Sequence, residues 1–417
     1  MKRCFRFSLF LLALLLGIAA LASCDFDFDF DFNGALVGGT TAPAPTTAPV
    51  TTTAPVTTAP PVSGLGLIFT SNGDGTCYVS GIGTCTDTNL VIPEISPENE
   101  LVTGIGDSAF YGCELLFSVV IPDSVVSIGS SAFNECMALV SVEIPNSVVS
   151  IGDSAFKMCG HLENVTIPER VTSIAPYTFY GCAVLERLTI PDGVTSIGDS
   201  AFKFCYELAL TEIPDGVVSI GERAFEYCES LLLTIIPDSV QSIGLMTFAG
   251  CASLTSIIIG DGVTSLEEYV FDRCFSLTSV VLGARVECIG AGAFYYCESL
   301  ASITIPDGVE RIEKFAFSQC KALTSVKLPD SVKHIGIGAF SLCESLTSVE
   351  LGTGLESIEA AAFSACPSLT SAVFGATFGW EVLLASDTPI PPRDLGDPAT
   401  AAAYLTDTYC SWDWIRR

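Results

Sequence analysis

Cys297-Glu298-Ser299-Leu300-Ala301-Ser302-Ile303-Thr304-Ile305-Pro306-Asp307-Gly308-Val309-Glu310-Arg311-Ile312-Glu313-Lys314-Phe315-Ala316-Phe317 is one turn of a pattern that recurs along most of the chain. Twelve phenylalanines stand 23 residues apart, from Phe110, Phe133 and Phe156 to Phe340 and Phe363, and each is followed three residues later by a cysteine. A fixed period this short means one small supersecondary unit stacked on copies of itself, each coil touching only its neighbours, so the expected fold class is a repeat solenoid. Within the unit, Ile303 and Ile305 alternate with Thr304, the pattern of a short strand with two residues inward and one outward. Pro306-Asp307-Gly308 is turn chemistry, because proline presets φ. Val309 and Ile312 continue the inward set. Ala316, Phe317 and Cys320 have helical spacing, which predicts a single helical turn before the next strand. Strands stacked about 4.8 Å apart would give an array about 60 Å long.

Written generally, the unit is Cys-x-x-Leu-x-x-Ile-x-Ile-Pro-x-x-Val-x-x-Ile-Gly-x-x-Ala-Phe. It resembles the BspA-like, treponemal-type class of leucine-rich repeats, over residues 102–374. The resemblance implies a curved superhelix of short parallel strands with short helical or 3-10 turns, capped at both ends and carried on a bacterial or protist surface. Some members of that family bind host extracellular-matrix or plasma proteins. Gly260, Gly283 and Gly352 replace the turn proline, and Ala175, Glu267, Glu313 and Glu359 replace the usual glycine. These departures alter turns and leave the repeat class unchanged.

Lys2, Arg3 and Arg6 precede an apolar run over residues 7–22 that ends in Leu21-Ala22-Ser23-Cys24. Residues 1–23 therefore read as a signal peptide. The Leu-Ala-Ser-Cys run resembles the bacterial lipobox, which implies that Cys24 becomes the lipidated first residue of an exported protein. Such a protein is anchored at the cell envelope, exposed at the surface, and meets the membrane through its lipid alone. Ala20-Leu21-Ala22 is a competing cleavage site of the ordinary secretory kind, and retention of residues 7–22 as an anchor is a third reading. Residues 24–39 form an acidic-aromatic spacer. Residues 40–63, almost entirely Thr, Ala, Pro and Val, read as an extended stalk with a reach of about 70 Å. Residues 64–101, with Asn72-Gly73-Asp74-Gly75 as a hairpin signal, form an N-terminal cap. The period is lost after residue 374, so residues 375–417 are the C-terminal cap, with a helix start at Asp397-Pro398 and with Trp412 and Trp414 in its core.

The net charge of −29 argues against nucleic acid and against docking on anionic lipid, both of which need basic contacts. The cysteine ladder, Cys113 through Cys366, lacks the close Cys-x-x-Cys spacing of a zinc site and reads as buried small hydrophobes. Cys77 and Cys85 are the candidate disulfide of an exported protein, while Cys288 and Cys410 lie outside the ladder. Turn acids such as Asp192, Asp238, Asp261 and Asp330 would stack along one edge, where turn preference explains them better than calcium does. Only His161 and His334 are available for acid–base work, both at variable, exposed positions. No catalytic, cofactor or metal constellation stands out, and no enzymatic activity is expected.

A binding surface would be written in the variable outward strand positions, and two adjacent coils break the pattern there. Leu210-Thr211 and Leu233-Thr234 reverse the usual order of polar outside and apolar inside. Taken at face value, Leu210 and Leu233 face out and join Ile235, Ile258 and Val281 in an apolar patch for a macromolecular partner. The alternative is a local bulge that turns both leucines inward. Two functions follow: a surface protein that binds a protein or other macromolecule, in the manner of an adhesin, or a structural, self-associating envelope protein with no dedicated ligand.

Overall fold

The computed structural model describes residues 63–382 and 388–416. The expected signal peptide, the lipidation site Cys24, the spacer and all but the last residue of the stalk lie outside the described residues.

Most coils contribute two short strands, and both kinds pair in parallel at a 23-residue step; in the coils around Asn164 and Arg187 the longer strand is reduced to isolated bridges, and around Leu210 it is not formed. The longer strands are of the kind Ser279–Val281 and Ser302–Thr304, with Ser279 opposite Ser302, Val280 opposite Ile303 and Val281 opposite Thr304. The shorter ones are Ser-Ile pairs such as Ser196–Ile197 beside Ser219–Ile220. Identical coils impose this register, because a slip by one residue would move every inward side chain to the solvent side. In the quoted unit Ile303, Ile305, Val309, Ile312, Ala316, Phe317 and Cys320 are all buried. The chain is thus the expected parallel-strand solenoid. The twelve phenylalanines form one continuous column, with neighbouring ring centroids 5.0 to 5.6 Å apart and planes within 10° of parallel. Each ring removed from water contributes about 1.5–3 kcal/mol.

The expected helical turn is not there. Between the Ser-Ile strand and the cysteine the backbone makes successive i to i+3 turns, for example Tyr111 N–H to Ser108 O and Cys113 N–H to Phe110 O. The alternate amides leave the coil: Ser108, Phe110 and Gly112 donate to the carbonyls of Ser130, Ala132 and Asn134 in the next one. Two left-handed residues per coil make this possible, Ser108 (φ 55°) with Gly112 (φ 67°), then Ser131 with Glu135, and so on along the array. A true helix would turn every N–H onto its own coil and leave this edge without bonds to its neighbour. Each left-handed non-glycine residue costs about 1–2 kcal/mol, and each coil-to-coil bond returns about 0.5–1.5 kcal/mol.

At the N-terminal end Ile68–Ser71 and Thr76–Gly81 form an antiparallel hairpin across residues 72–75, where Gly73 and Gly75 take positive φ. Thr76–Gly81 then pairs in parallel with Leu101–Ile105, which opens the Ser-Ile ladder. At the other end Trp414–Arg416 lies antiparallel on Ser357–Ile358 and covers the last edge of that ladder. Trp380 and Trp414 are buried there, at 6.4 Å between rings. Trp412 is 45% exposed, which corrects the expectation that both late tryptophans are core. Asp397 accepts from Thr400 N–H and caps the helix Pro398–Ala403.

Candidate functional site

The side chains with chemical potential are taken up by the scaffold, which narrows the search for a site. Eleven ladder thiols, Cys136 through Cys366, each place Sγ 3.0 to 3.3 Å from the carbonyl oxygen of the phenylalanine in the preceding coil. That oxygen already accepts from the cysteine amide of its own coil, as in Cys136 N–H to Phe133 O, so the thiol satisfies its second lone pair. Burial pushes the thiols from Cys159 to Cys320 up, to about 12 at Cys159, and keeps them protonated as donors. Cysteine is the residue that is small, apolar and still carries a proton to give.

The candidate disulfide is corrected: Cys77 and Cys85 are both buried free thiols in different surroundings. Cys77 sits on an inward position of its strand, with Sγ 3.8 Å from the Glu100 carbonyl, whereas Cys85 lies in the loop beyond that strand, beside Asp87. The turn acids also have a structural employment. Asp238, Asp261 and Asp330 accept from the backbone N–H of Asp261, Ala284 and Thr353, each 23 residues on, at 2.7 to 2.9 Å. At Asp330 the Thr353 amide holds the carboxyl below its usual range. His161 and His334 are exposed. Among the described residues no cluster of three or more His, Cys, Asp or Glu is arranged to hold a metal ion.

The outward face of the longer strands is where the repeat becomes irregular. Leu210 and Leu233 are buried, at 4% and 1% exposure, so the expectation that they face out is corrected. They take the inward place that Ile257 and Val280 hold in later coils, while Thr211 and Thr234 turn outward. The backbone shifts to achieve this: the Leu232 amide donates to the Leu210 carbonyl, 22 residues back instead of 23, and strand pairing resumes at Ile235–Ile236. A shallow cleft of about 160 Å³ lies beside Leu210, between residues 187–190 and 209–212.

The other three predicted residues do face out. Ile235, Ile258 and Val281 are 52%, 46% and 54% exposed and directly opposite one another in register, Ile235 to Ile258 and Ile258 to Val281. Half-exposed Leu232, which sequence reading missed because its coil is shifted, adds to the apolar surface. Glu143, Glu163, Glu186 and Glu212 are exposed in the coils that precede this ladder, with Arg187 ion-paired to Glu186 at 3.3 Å. In the coils that follow, Thr304 is succeeded by Lys327 and Glu350, which pair at 3.2 Å.

A second irregular surface lies beside the phenylalanine column. Tyr177, Tyr180, Phe204, Tyr206 and Tyr227 make a chain of ring contacts 5.5 to 6.0 Å apart. Beneath them the buried Glu226 carboxylate pairs with Lys203 at 2.7 Å and with Arg223 at 3.6 Å.

A family model described as a BspA type leucine rich repeat region, in 6 copies, matches residues 103–232, 218–321 and 264–379. Among solved structures, a leucine rich cell surface protein from Faecalibacterium prausnitzii A2-165 is 30% identical over 75% of this chain and 94% of its own, with a TM-score of 0.51. A leucine-rich repeat protein from Bacteroides ovatus ATCC 8483 is 28% identical over 74% of this chain and 92% of its own, with a TM-score of 0.52. No curated protein matches the chain.

Proposed function

Because the chain belongs to the BspA type leucine-rich repeat family, we propose that it is a cell-surface protein that recognises a macromolecular partner through the outward face of its longer strands. The observation that carries this is the exposed in-register ladder Ile235, Ile258 and Val281, three β-branched side chains that are half-exposed yet stand side by side on the outward face. Contiguous exposed apolar surface of this kind marks interaction sites. The F. prausnitzii relative is itself described as a cell surface protein, which supports the location. A lipid on Cys24 would anchor the chain, and the stalk of residues 40–63 would lift the solenoid clear of the membrane. Recognition by shape and side-chain contacts, without turnover, fits a scaffold whose thiols and turn acids serve its own backbone. Adhesion to a host or neighbouring-cell protein is the specific form of this reading.

The test is saturable binding of the purified chain to a panel of extracellular-matrix, plasma and cell-envelope proteins, repeated with Ile258→Lys. Dose-dependent binding that the substitution abolishes is the expected result. Self-assembly in the absence of any ligand, with no saturable partner, would replace this reading with the structural one.

A further inference from the structure

The strand face changes character along the solenoid. In the coils before the apolar ladder Glu143 and Glu212 stand at the outward strand position that Ile235, Ile258 and Val281 hold later, Glu163 and Glu186 stand exposed just before the strand position, and the single cation among these coils' outward strand positions, Arg187, is already paired with Glu186. Then come Ile235, Ile258 and Val281, half-exposed and in register. Beyond them Lys327 and Glu350 neutralise each other. The face is therefore acidic on one side of the ladder only. Within the acidic half, beside Leu210, lies the cleft, with Arg187, Thr189, Thr211 and Glu212 among its lining residues. Four carboxylates on a chain of net charge −29 exclude polyanions and favour a cation approaching from a distance.

We propose that the partner of this face is a cationic amphipathic stretch of polypeptide, its apolar side chains over Ile235, Ile258 and Val281 and its Lys or Arg side chains over the Glu143 to Glu212 side. This rests on the reading that the strand face is the binding surface, and it adds the partner's chemistry and its direction. The apolar ladder supplies the part of the affinity that salt does not screen, whereas the carboxylates, exposed to solvent, act within a Debye length of about 8 Å at physiological ionic strength.

The probe is a short fluorescent synthetic peptide that alternates lysine with leucine and valine, compared with its counterpart bearing glutamate for every lysine and with polylysine. Each is titrated into the purified full chain at low and at physiological salt. The lysine–leucine peptide is expected to bind, more tightly at low salt, and polylysine to fall away at physiological salt. The glutamate peptide should not bind. Glu186→Gln with Glu212→Gln should weaken the lysine–leucine peptide about tenfold, and Ile258→Ser with Val281→Ser should abolish it. Both double variants alter exposed side chains and should keep the wild-type melting temperature. Equal binding of the lysine and glutamate peptides, no binding of either, or indifference to the glutamine variants overturns the proposal. If that happens while Ile258→Lys still abolishes capture of a matrix or envelope protein, the strand face remains the binding surface and only its charge preference is wrong.

Discussion

Alkali should dismantle this solenoid at a pH that leaves ordinary proteins folded. The nine deepest ladder thiols, Cys159 through Cys343, have no exposure to solvent. All are pushed upward, by burial at the first eight and at Cys343 by its contact with the Cys366 thiol together with burial. In the unfolded chain the same thiols ionise near the ordinary value of about 8.5. Above that pH the unfolded state has lost protons that the folded state keeps, so stability falls as pH rises. Between about pH 7.5 and pH 9.5 each thiol accounts for a loss of about 1.4 kcal/mol, and nine together for about 12 kcal/mol. A domain's whole stability is about 5–15 kcal/mol. Burial raises Tyr180, Tyr206, Tyr227, Tyr269 and Tyr295 in the same direction, but unfolded tyrosine ionises near 10, so stopping at about pH 9.5 isolates the thiols.

Urea unfolding followed by circular dichroism, in the presence of a reductant, measures this directly. Because coils of a repeat array open from weak points and not always together, hydrogen exchange on the same samples should show protection lost first in the Cys-containing turns. The midpoint should collapse between the two pH values, and Cys228→Ala should flatten the pH dependence by about 1.4 kcal/mol over that interval, whatever it does to the neutral stability. An unchanged midpoint at both pH values, or rapid labelling of any of the native thiols from Cys159 to Cys343 in the ladder by a thiolate-specific reagent, would refute the reasoning, because those thiols would then be ionised within the fold or exposed.

Phe225→Ala removes a ring stacked at 5.2 and 5.5 Å on its two neighbours and should cost about 3–5 kcal/mol in chemical denaturation, with unfolding spreading from the middle of the array. Leu233→Lys puts a charge into the core and should unfold or fail to express, whereas Ile258→Lys, at an exposed site, should shift stability by no more than about 0.5 kcal/mol; similar melting temperatures for the two would contradict the bulge. Lys203→Met strips the nearest cation from the buried Glu226 carboxylate and should destabilise by about 3 kcal/mol, and a second change, Glu226→Gln, should recover much of it in a double-mutant cycle.

The Phe-x-x-Cys beat makes the inward set legible because a 23-residue step carries one error-free frame across twelve coils, and every inward residue named in the quoted unit is buried. The helical turn is misleading in the sequence because Ala316, Phe317 and Cys320 have helical spacing whether the amides between them bond within the coil or across to the next. A signal is present, however: Gly112, Gly181 and Gly250 recur at one position of that turn and Gly292 and Gly338 at the other, all with positive φ, where the remaining coils force residues such as Ser, Tyr, Arg or Met into the same conformation. Glycine scattered at two fixed phases of a repeat marks left-handed backbone even when most copies lack it. Leu210 and Leu233 depart from expectation for a different reason. A frame fixes where a side chain points only while the backbone stays regular, and a leucine one position out of phase sets burial of its side chain against the strand's hydrogen bonds. Burial decides here, so the backbone bonding shifts by one residue and both leucines turn inward where the frame predicts them in an outward apolar patch. The exposed Ile235, Ile258 and Val281 lie in the coils where that conflict is absent or already relieved, since their inward places are filled by Leu233 and Ile236, by Ile257 and Ile259, and by Val280 and Leu282. Core burial leaves those three positions unconstrained, and the apolar side chains found there have to be explained from outside the fold.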